Sequence, residues 1–290
     1  MQKFNQFLSE EAFLQDESIA LLEKLITFGG KAYPKFGNIV IMAGGAGSGK
    51  GFIINKLVGI EGKTLDVDAL KLLSAKSPMI RKKVKDELGL DIEAIAADLR
   101  NSDNVFKLHD IIANFLKIDS NREKILFTGI LGAAPDRKPN IIFDTTLKSF
   151  DKLEKLASDA AKLGYDKKNV HIVWVVNDIE VAKKQNAGRK RVVPAEILVN
   201  THRGAANTMG DIINMGSKLK KYMDGDIVFA FNKVNVDSEF VQSGKGGSYV
   251  KEAEYVYVKR SGKAPTSVDK LDADLRRKIA SYVPKDIDWS

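Results

Sequence analysis

No cysteine occurs anywhere in the chain, which excludes disulfide staples and thiolate metal ligands and fits a reducing cytosol. Histidine is almost as scarce: His109, His171 and His202 stand far apart, which speaks against a histidine metal site. Long apolar runs are missing too. No stretch approaches the roughly eighteen residues that a membrane-spanning helix needs, and the opening Met1–Gln6 has no apolar signal core. We therefore expect a chain without a membrane anchor, working in the cytoplasm where it is made. Internal repeats and low-complexity linkers are absent as well, so one domain over residues 1–290 is expected.

What is present is an ordinary globular composition, 44% hydrophobic and 29% charged over 290 residues, enough to bury a sizeable core. Basic residues outnumber acidic ones 46 to 38, a formal charge of +8. That balance suits an anionic partner, whether nucleotide, phosphate or nucleic acid, although a lysine excess also serves solubility. The basic residues gather at Arg81–Lys85, Arg189–Arg191, Lys218–Lys221 and Arg276–Lys278.

Strands alternate with helices. Apolar runs at 38–43, 140–144, 171–176 and 226–232, with a short acidic-ended run at 63–67, read as strands of a mostly parallel sheet covered on both faces. Residues 254–259 alternate as a half-exposed strand, and Ile125–Phe127 is a weaker strand candidate. Helical spacing marks 16–28, the stretch from Phe52, 149–163, the segment after Asp178, the long region ending near Tyr222, and 267–282. Within 71–137, segments at 78–88, 91–100 and 104–117 also read as helices, an insertion longer than a crossover needs. Residues 242–248 are rich in glycine. The expected fold is α/β: a mostly parallel central sheet flanked by helices, plus a helical insertion.

Directly behind the first strand stands Gly44-Gly45-Ala46-Gly47-Ser48-Gly49-Lys50-Gly51, the pattern G-x-x-x-x-G-K of a Walker A phosphate-binding loop. Glycines let successive N–H groups curl onto phosphate oxygens, the following helix presents its positive end, and Lys50 adds a full charge. Contacts to ATP or GTP are expected from Gly45, Ala46, Gly47, Ser48, Gly49, Lys50, Gly51 and Phe52. The Ser or Thr that normally follows the lysine and ligates magnesium is replaced by Gly51. Mg2+ must then lean on an acidic strand end, for which Asp144 is the candidate. Ligands of an open parallel sheet bind at the carboxyl ends of its strands, where the loop, Asp66, Asp68 and Asp144 all fall. Asp68 has the placement of a general base for an attacking hydroxyl, and equally that of a helix N-cap. The run Arg189-Lys190-Arg191 before Val192-Val193-Pro194 reads as a lid whose guanidinium groups close over the transferring phosphate, with Arg203 farther along.

The stretches IVIMAGGAGSGKGF, LDVDALK, NIIFDTTLKS, KLGYDKKNVHIVWVVNDIEVAKKQNAGRKRVVPAEILVNTHRG and DIVFAFNKVN follow one another between about 36 and 235. In this order they resemble the zeta-toxin family of P-loop kinases. The resemblance implies that Asp68 is the catalytic base, that Arg189 and Arg191 belong to a lid with Arg203 as a second phosphate contact, and that Asn232 lies near the adenine base. It also implies that Asp144 and Thr146 face substrate or metal, with Asp66 beside them. The segment 71–137 departs from the family and bears on the acceptor site, and 236–290 is a C-terminal extension. The opening MQKFNQFLSEE resembles the start of many tailed-phage proteins, which would place the chain in a host cytoplasm.

The function expected is an ATP- or GTP-dependent kinase moving the γ-phosphate to a hydroxyl, with Mg2+. The acceptor is left open between a small metabolite and the 5′-hydroxyl of a nucleic acid. A nucleotide-binding module without catalysis, used in assembly or regulation, is the alternative that Gly51 supports.

Overall fold

The computed structural model describes residues 26–31, 34–118, 127–188, 192–232, 238–242, 248–253 and 255–289. Strand β1 (Ile39–Ala43) leads through the glycine loop into α1 (Lys50–Lys56) and β2 (Lys63–Asp66). The insertion follows as α2 (Val67–Ala75), α3 (Pro78–Leu88), α4 (Ile92–Ala97) and α5 (Ser102–Asp110). Next come β3 (Ile141–Asp144), α6 (Phe150–Lys162), β4 (Val170–Asn177), α7 (Ile179–Ala187), α8 (Ala195–Asn214) and β5 (Ile227–Asn232). An antiparallel pair, β6 (Ser238–Gln242) with β7 (Ser248–Ala253), precedes β8 (Tyr255–Lys259) and α9 (Ala273–Tyr282).

The main sheet has the order β2-β3-β1-β4-β5-β8, its first five strands parallel and β8 antiparallel on the edge. Chain direction from β1 therefore diverges, to β3 on one side and β4 on the other. That is the switch point where a crevice opens at the carboxyl ends. Register sets what borders it: Asp144 lies beside Met42 on one side and Asp66 on the other, and Asn177 lies beside Asn232.

The strands are apolar throughout because both faces are covered. Alternate residues Ile39, Ile41, Ile172, Trp174, Phe229 and Phe231 enter one core, while Val40, Met42, Val173, Val175, Val228 and Ala230 enter the other. Each such buried side chain contributes about 1.5–3 kcal/mol. The insertion has a core of its own, built on Ala75, Val84, Ile92, Ile95, Leu108, Ile111 and Ile112. Its last helix, α5, runs on into a π-helical turn, Ile111–Phe115.

Several boundaries differ from expectation. Ile26 and Phe28 are not helical: they are buried and extended, bridged to Val58 and Lys31, so the apolar residues before Gly29 serve sheet-face packing. The rest of the expected 16–28 helix lies outside the described residues. Phe127 is helical, in the stretch described at 127–131, and residues 125 and 126 lie outside the described residues. The long helix stops at Asn214, with Gly216 at φ 55° starting a 3-10 turn to Lys221. In the last segment only Ala273–Tyr282 is α-helical, because the Asp272 carboxylate accepts from the N–H groups of Asp274 and Leu275 and fixes the start there.

Candidate functional site

Each carbonyl of the glycine loop from Gly44 to Ser48 has a donor. Lys50 Nζ donates to Gly44 O at 2.9 Å and to Gly45 O at 3.3 Å. His202 Nε2 donates to Ala46 O at 2.9 Å, Asn177 Nδ2 to Gly47 O at 3.1 Å, and Asn232 Nδ2 to Ser48 O at 2.8 Å. These bonds fix the peptide planes of the loop, and two of its N–H groups are themselves taken, Ala46 N–H by Thr201 Oγ1 and Ser48 N–H by Gly45 O. Two glycines are required by the bracing groups: a Cβ at Gly45 would sit 2.0 Å from the His202 ring, and one at Gly49 (φ 88°) 1.9 Å from Asn232 Nδ2.

Ala46 to Phe52 line a cavity of about 720 Å³, while Gly45 lies behind it against His202. Asp144 and Thr146 also face it, as expected, with Asp144 Oδ1 3.9 Å from Lys50 Nζ. The turn after β3 is bound to the loop, for Thr146 O accepts from Gly44 N–H at 3.1 Å. Leu147 there is fully buried with φ 47°, a conformation that non-glycine residues hold only where packing dictates it. The opposite wall comes from the insertion, through Lys71, Val105, Phe106 and His109, and from Gln185, Val193, Pro194, Ile197 and Thr201. Lys71 is a buried cation in this wall, whereas Phe106 is half exposed.

Asp66 ends β2 beside Asp144, and Asp68 is the second residue of α2, so both reach the same end of the sheet. Their side chains lie outside those described, as do Arg189 and Arg191 altogether. The lid segment is anchored on either side of these arginines: Val192 N–H donates to Leu99 O in the insertion at 3.1 Å, and Asn186 exchanges two hydrogen bonds with the Val193 backbone. Asn232, expected near the adenine, holds the loop at Ser48. Arg203, expected at the phosphate, does not line the cavity: its Nε and Nη2 donate to Asp286 at 2.6 and 3.3 Å.

Asn177, Thr201 and His202 were not legible as site residues. Asn177 follows an apolar strand as Asn232 does, and that parallel was the available signal; Thr201 and His202 sit mid-helix. Burial, reinforced by the Lys50 charge, pushes the His202 imidazole down to about 4 against the opposing bond to Ala46. His202 is therefore neutral at pH 7, with its proton on Nε2, since its partner is a carbonyl. Ser48 Oγ is buried without a protein partner, a cost that a bound ligand or its water relieves.

Residues 123–230 match the Zeta toxin family model. Over these residues, somewhat more than a third of the chain, it is similar to the zeta-toxin family. The zeta toxin segment runs from before β3 into β5 and so holds Asp144, Thr146, Asn177, the lid arginines and α8; the glycine loop, Asp68 and insertion helices α2–α5 precede it. The glycine loop and the strand order give a P-loop α/β architecture with a mostly parallel sheet and a helical insertion. Among solved structures, a chain of the AvrRxo1-ORF1:AvrRxo1-ORF2 complex with sulphate ions aligns at 13% identity over 98% of this chain and 75% of its own, with a TM-score of 0.42. The same complex with ATP gives 12% identity, 98% and 74% coverage, and a TM-score of 0.43. A chain of the PezAT chromosomal toxin-antitoxin system of Streptococcus pneumoniae aligns at 12% identity over 77% of each chain, with a TM-score of 0.42. No curated protein matches the chain.

Proposed function

We propose that this chain is an ATP- or GTP-dependent phosphotransferase that moves the γ-phosphate to a hydroxyl acceptor. The observation that carries this reading is the loop itself, with all five carbonyls from Gly44 to Ser48 fixed by side-chain donors and Lys50 lining the cavity. Little covalent work is asked of the protein in this chemistry; positioning and charge stabilisation dominate. Loop amides and the α1 N-terminus hold the phosphates, and Lys50 places its charge against the terminal group. An acceptor hydroxyl oxygen attacks the γ-phosphorus, the bond to the β–γ bridging oxygen breaks, and the nucleoside diphosphate leaves. The hydroxyl proton goes to the Asp68 carboxylate. Arg189 and Arg191, next to the anchored Val192–Val193 segment, spread the charge of the transferring group.

Mg2+ commonly keeps several waters and one or two carboxylates. Asp144, facing the cavity close to Lys50, suits that role, and Gly51 offers no hydroxyl to share it. The ion would neutralise phosphate charge there when bound. The acceptor is a small metabolite or a nucleic-acid 5′-hydroxyl, and Lys71, Phe106 and His109 form the wall of the half-open cavity that it would meet.

The test is incubation with γ-labelled ATP and either a metabolite extract or RNA, following the label. We expect label in a metabolite fraction, and a loss of at least about a hundredfold with Lys50→Ala or Asp68→Asn. Undiminished transfer by either variant would sink the mechanism. ATP binding without any transfer would instead establish the non-catalytic module.

A further inference from the structure

The Ala46 peptide is gripped on both sides by one helix. Its N–H donates to Thr201 Oγ1 at 3.0 Å, and its carbonyl accepts from His202 Nε2 at 2.9 Å. The Thr201 hydroxyl is itself held in place, since its hydrogen is donated to Leu198 O at 2.8 Å. Nothing in the loop's own turn makes these bonds; they span 155 and 156 positions of sequence. The seat of α8 is equally close at its next turn, where a Cβ at Gly204 would lie 2.9 Å from Lys148 O and 2.8 Å from Lys148 Cβ. Thus α8 is pressed between the turn after β3 and the first half of the loop, and its N-terminal end follows directly on the anchored lid segment.

The two halves of the loop face different phosphates. Inner phosphates belong to the α1 N-terminus, Gly49 to Phe52. The lysine serves the terminal ones, and Lys50 Nζ lies against Gly44 and Gly45, next to Ala46. Ala46 is consequently at the terminal-phosphate end, with its own N–H withdrawn from the cradle by Thr201.

We propose that Thr201 and His202 are positioning residues that clamp the Ala46 peptide, so that helix α8 sets the geometry of the terminal-phosphate end of the loop. This rests on the nucleotide-binding reading of the loop. Neutral His202 suits the task, because an imidazolium beside Lys50 would be repelled. The clamp makes a specific demand: it matters for ATP and not for ADP.

Binding of MgATP and MgADP is measured by calorimetry on the full chain, with thermal unfolding of each variant recorded alongside. His202→Leu removes the donor and Thr201→Val the acceptor at nearly constant shape. Each is expected to weaken ATP about tenfold, the worth of one buried hydrogen bond, while ADP changes less than about twofold. His202→Gln, which keeps an N–H donor, is expected to recover most of the ATP affinity. Equal losses for ATP and ADP, or unchanged ATP affinity in both variants, would overturn the clamp. A parent protein that binds neither nucleotide would overturn the reading of the loop instead.

Discussion

Gly51 follows Lys50 at the position where a hydroxyl would reach a metal, and a Cβ placed there meets nothing within 4 Å. The absence of the hydroxyl is therefore a matter of chemistry, not of space. Gly51→Ser should fit, slightly favour α1 through helix propensity, and lower the Mg2+ concentration for half-maximal transfer several-fold. Asp144→Asn, which removes the cavity carboxylate 3.9 Å from Lys50, should raise that concentration by about tenfold or more. A magnesium titration of the three proteins decides; indifference of both variants would detach metal binding from Asp144. At this scale the sequence was legible where the chemistry is contiguous, as from Gly44 to Lys50. It was opaque at Thr201 and His202, whose meaning comes from a contact 155 positions away. Arg203 shows the converse: a residue type suited to phosphate is occupied by Asp286, 83 positions on.

Titratable groups buried near both ends of the sheet, His171 and Asp226 at one and His202 of α8 at the other, make the fold sensitive to acid. At the amino end of the sheet His171 is completely buried, accepts from Asp226 N–H at 2.9 Å, and faces Asn38, Asp226 and Lys259. Burial holds it below its usual value against the opposing Asp226 carboxylate. Asp226 would be raised by burial, but the neighbouring His171 imidazole and hydrogen bonds from Gly29 and Ser261 N–H hold it below the usual carboxylate value. At the other end His202 is held near 4. The sign is common to all three, because in each the unfolded chain binds protons at a pH where the folded chain does not. Stability should fall as pH drops below 6.5, with the His202 part lost between 6.5 and about 4. That part amounts to about 3 kcal/mol. Urea midpoints at pH 7, 5.5 and 4.5 should decline, and His202→Gln should flatten the decline; a midpoint independent of pH would contradict the burial of these imidazoles. The strands carrying these groups were readable because two covered faces force continuous apolar runs. The extended Ile26–Phe28 was not, since Ile26 continues a row of apolar residues at helical spacing and only the sheet face it covers shows otherwise.

Across the whole molecule, the cavity draws on the loop, the insertion, the turn after β3 and the α7–α8 segment, and the zeta toxin match contains only the last two entire. The cavity wall at Lys71, Phe106 and His109 stands outside that match, so the match says nothing of what this wall would receive. The C-terminal extension, without a counterpart in the resemblance, is part of the core: Trp289 is 2% exposed and stacks near Trp174 and Phe229, with ring centroids 5.2 and 5.9 Å apart. These partners lie on β4 and β5, the strands whose ends present Asn177 and Asn232 to the loop. Removing the indole should leave a cavity against both strands, and Trp289→Ala should cost about 3–5 kcal/mol. Three residues earlier, Asp286 meets Arg203 on the surface, where screening and side-chain entropy leave little net gain. Asp286→Ala should leave the urea midpoint nearly unchanged. The extension is thus held by buried side chains, Trp289 together with Val258, Leu271, Ile279, Tyr282 and Val283, rather than by its ion pair. Trp174 is the only other tryptophan, so fluorescence of the Trp289→Ala protein reports β4 alone. We expect a lowered midpoint, with nucleotide affinity retained where the protein is still folded. If Asp286→Ala proved the more damaging change, the extension would be held by the Arg203 pair, and α8 would depend on it for its seat against the loop.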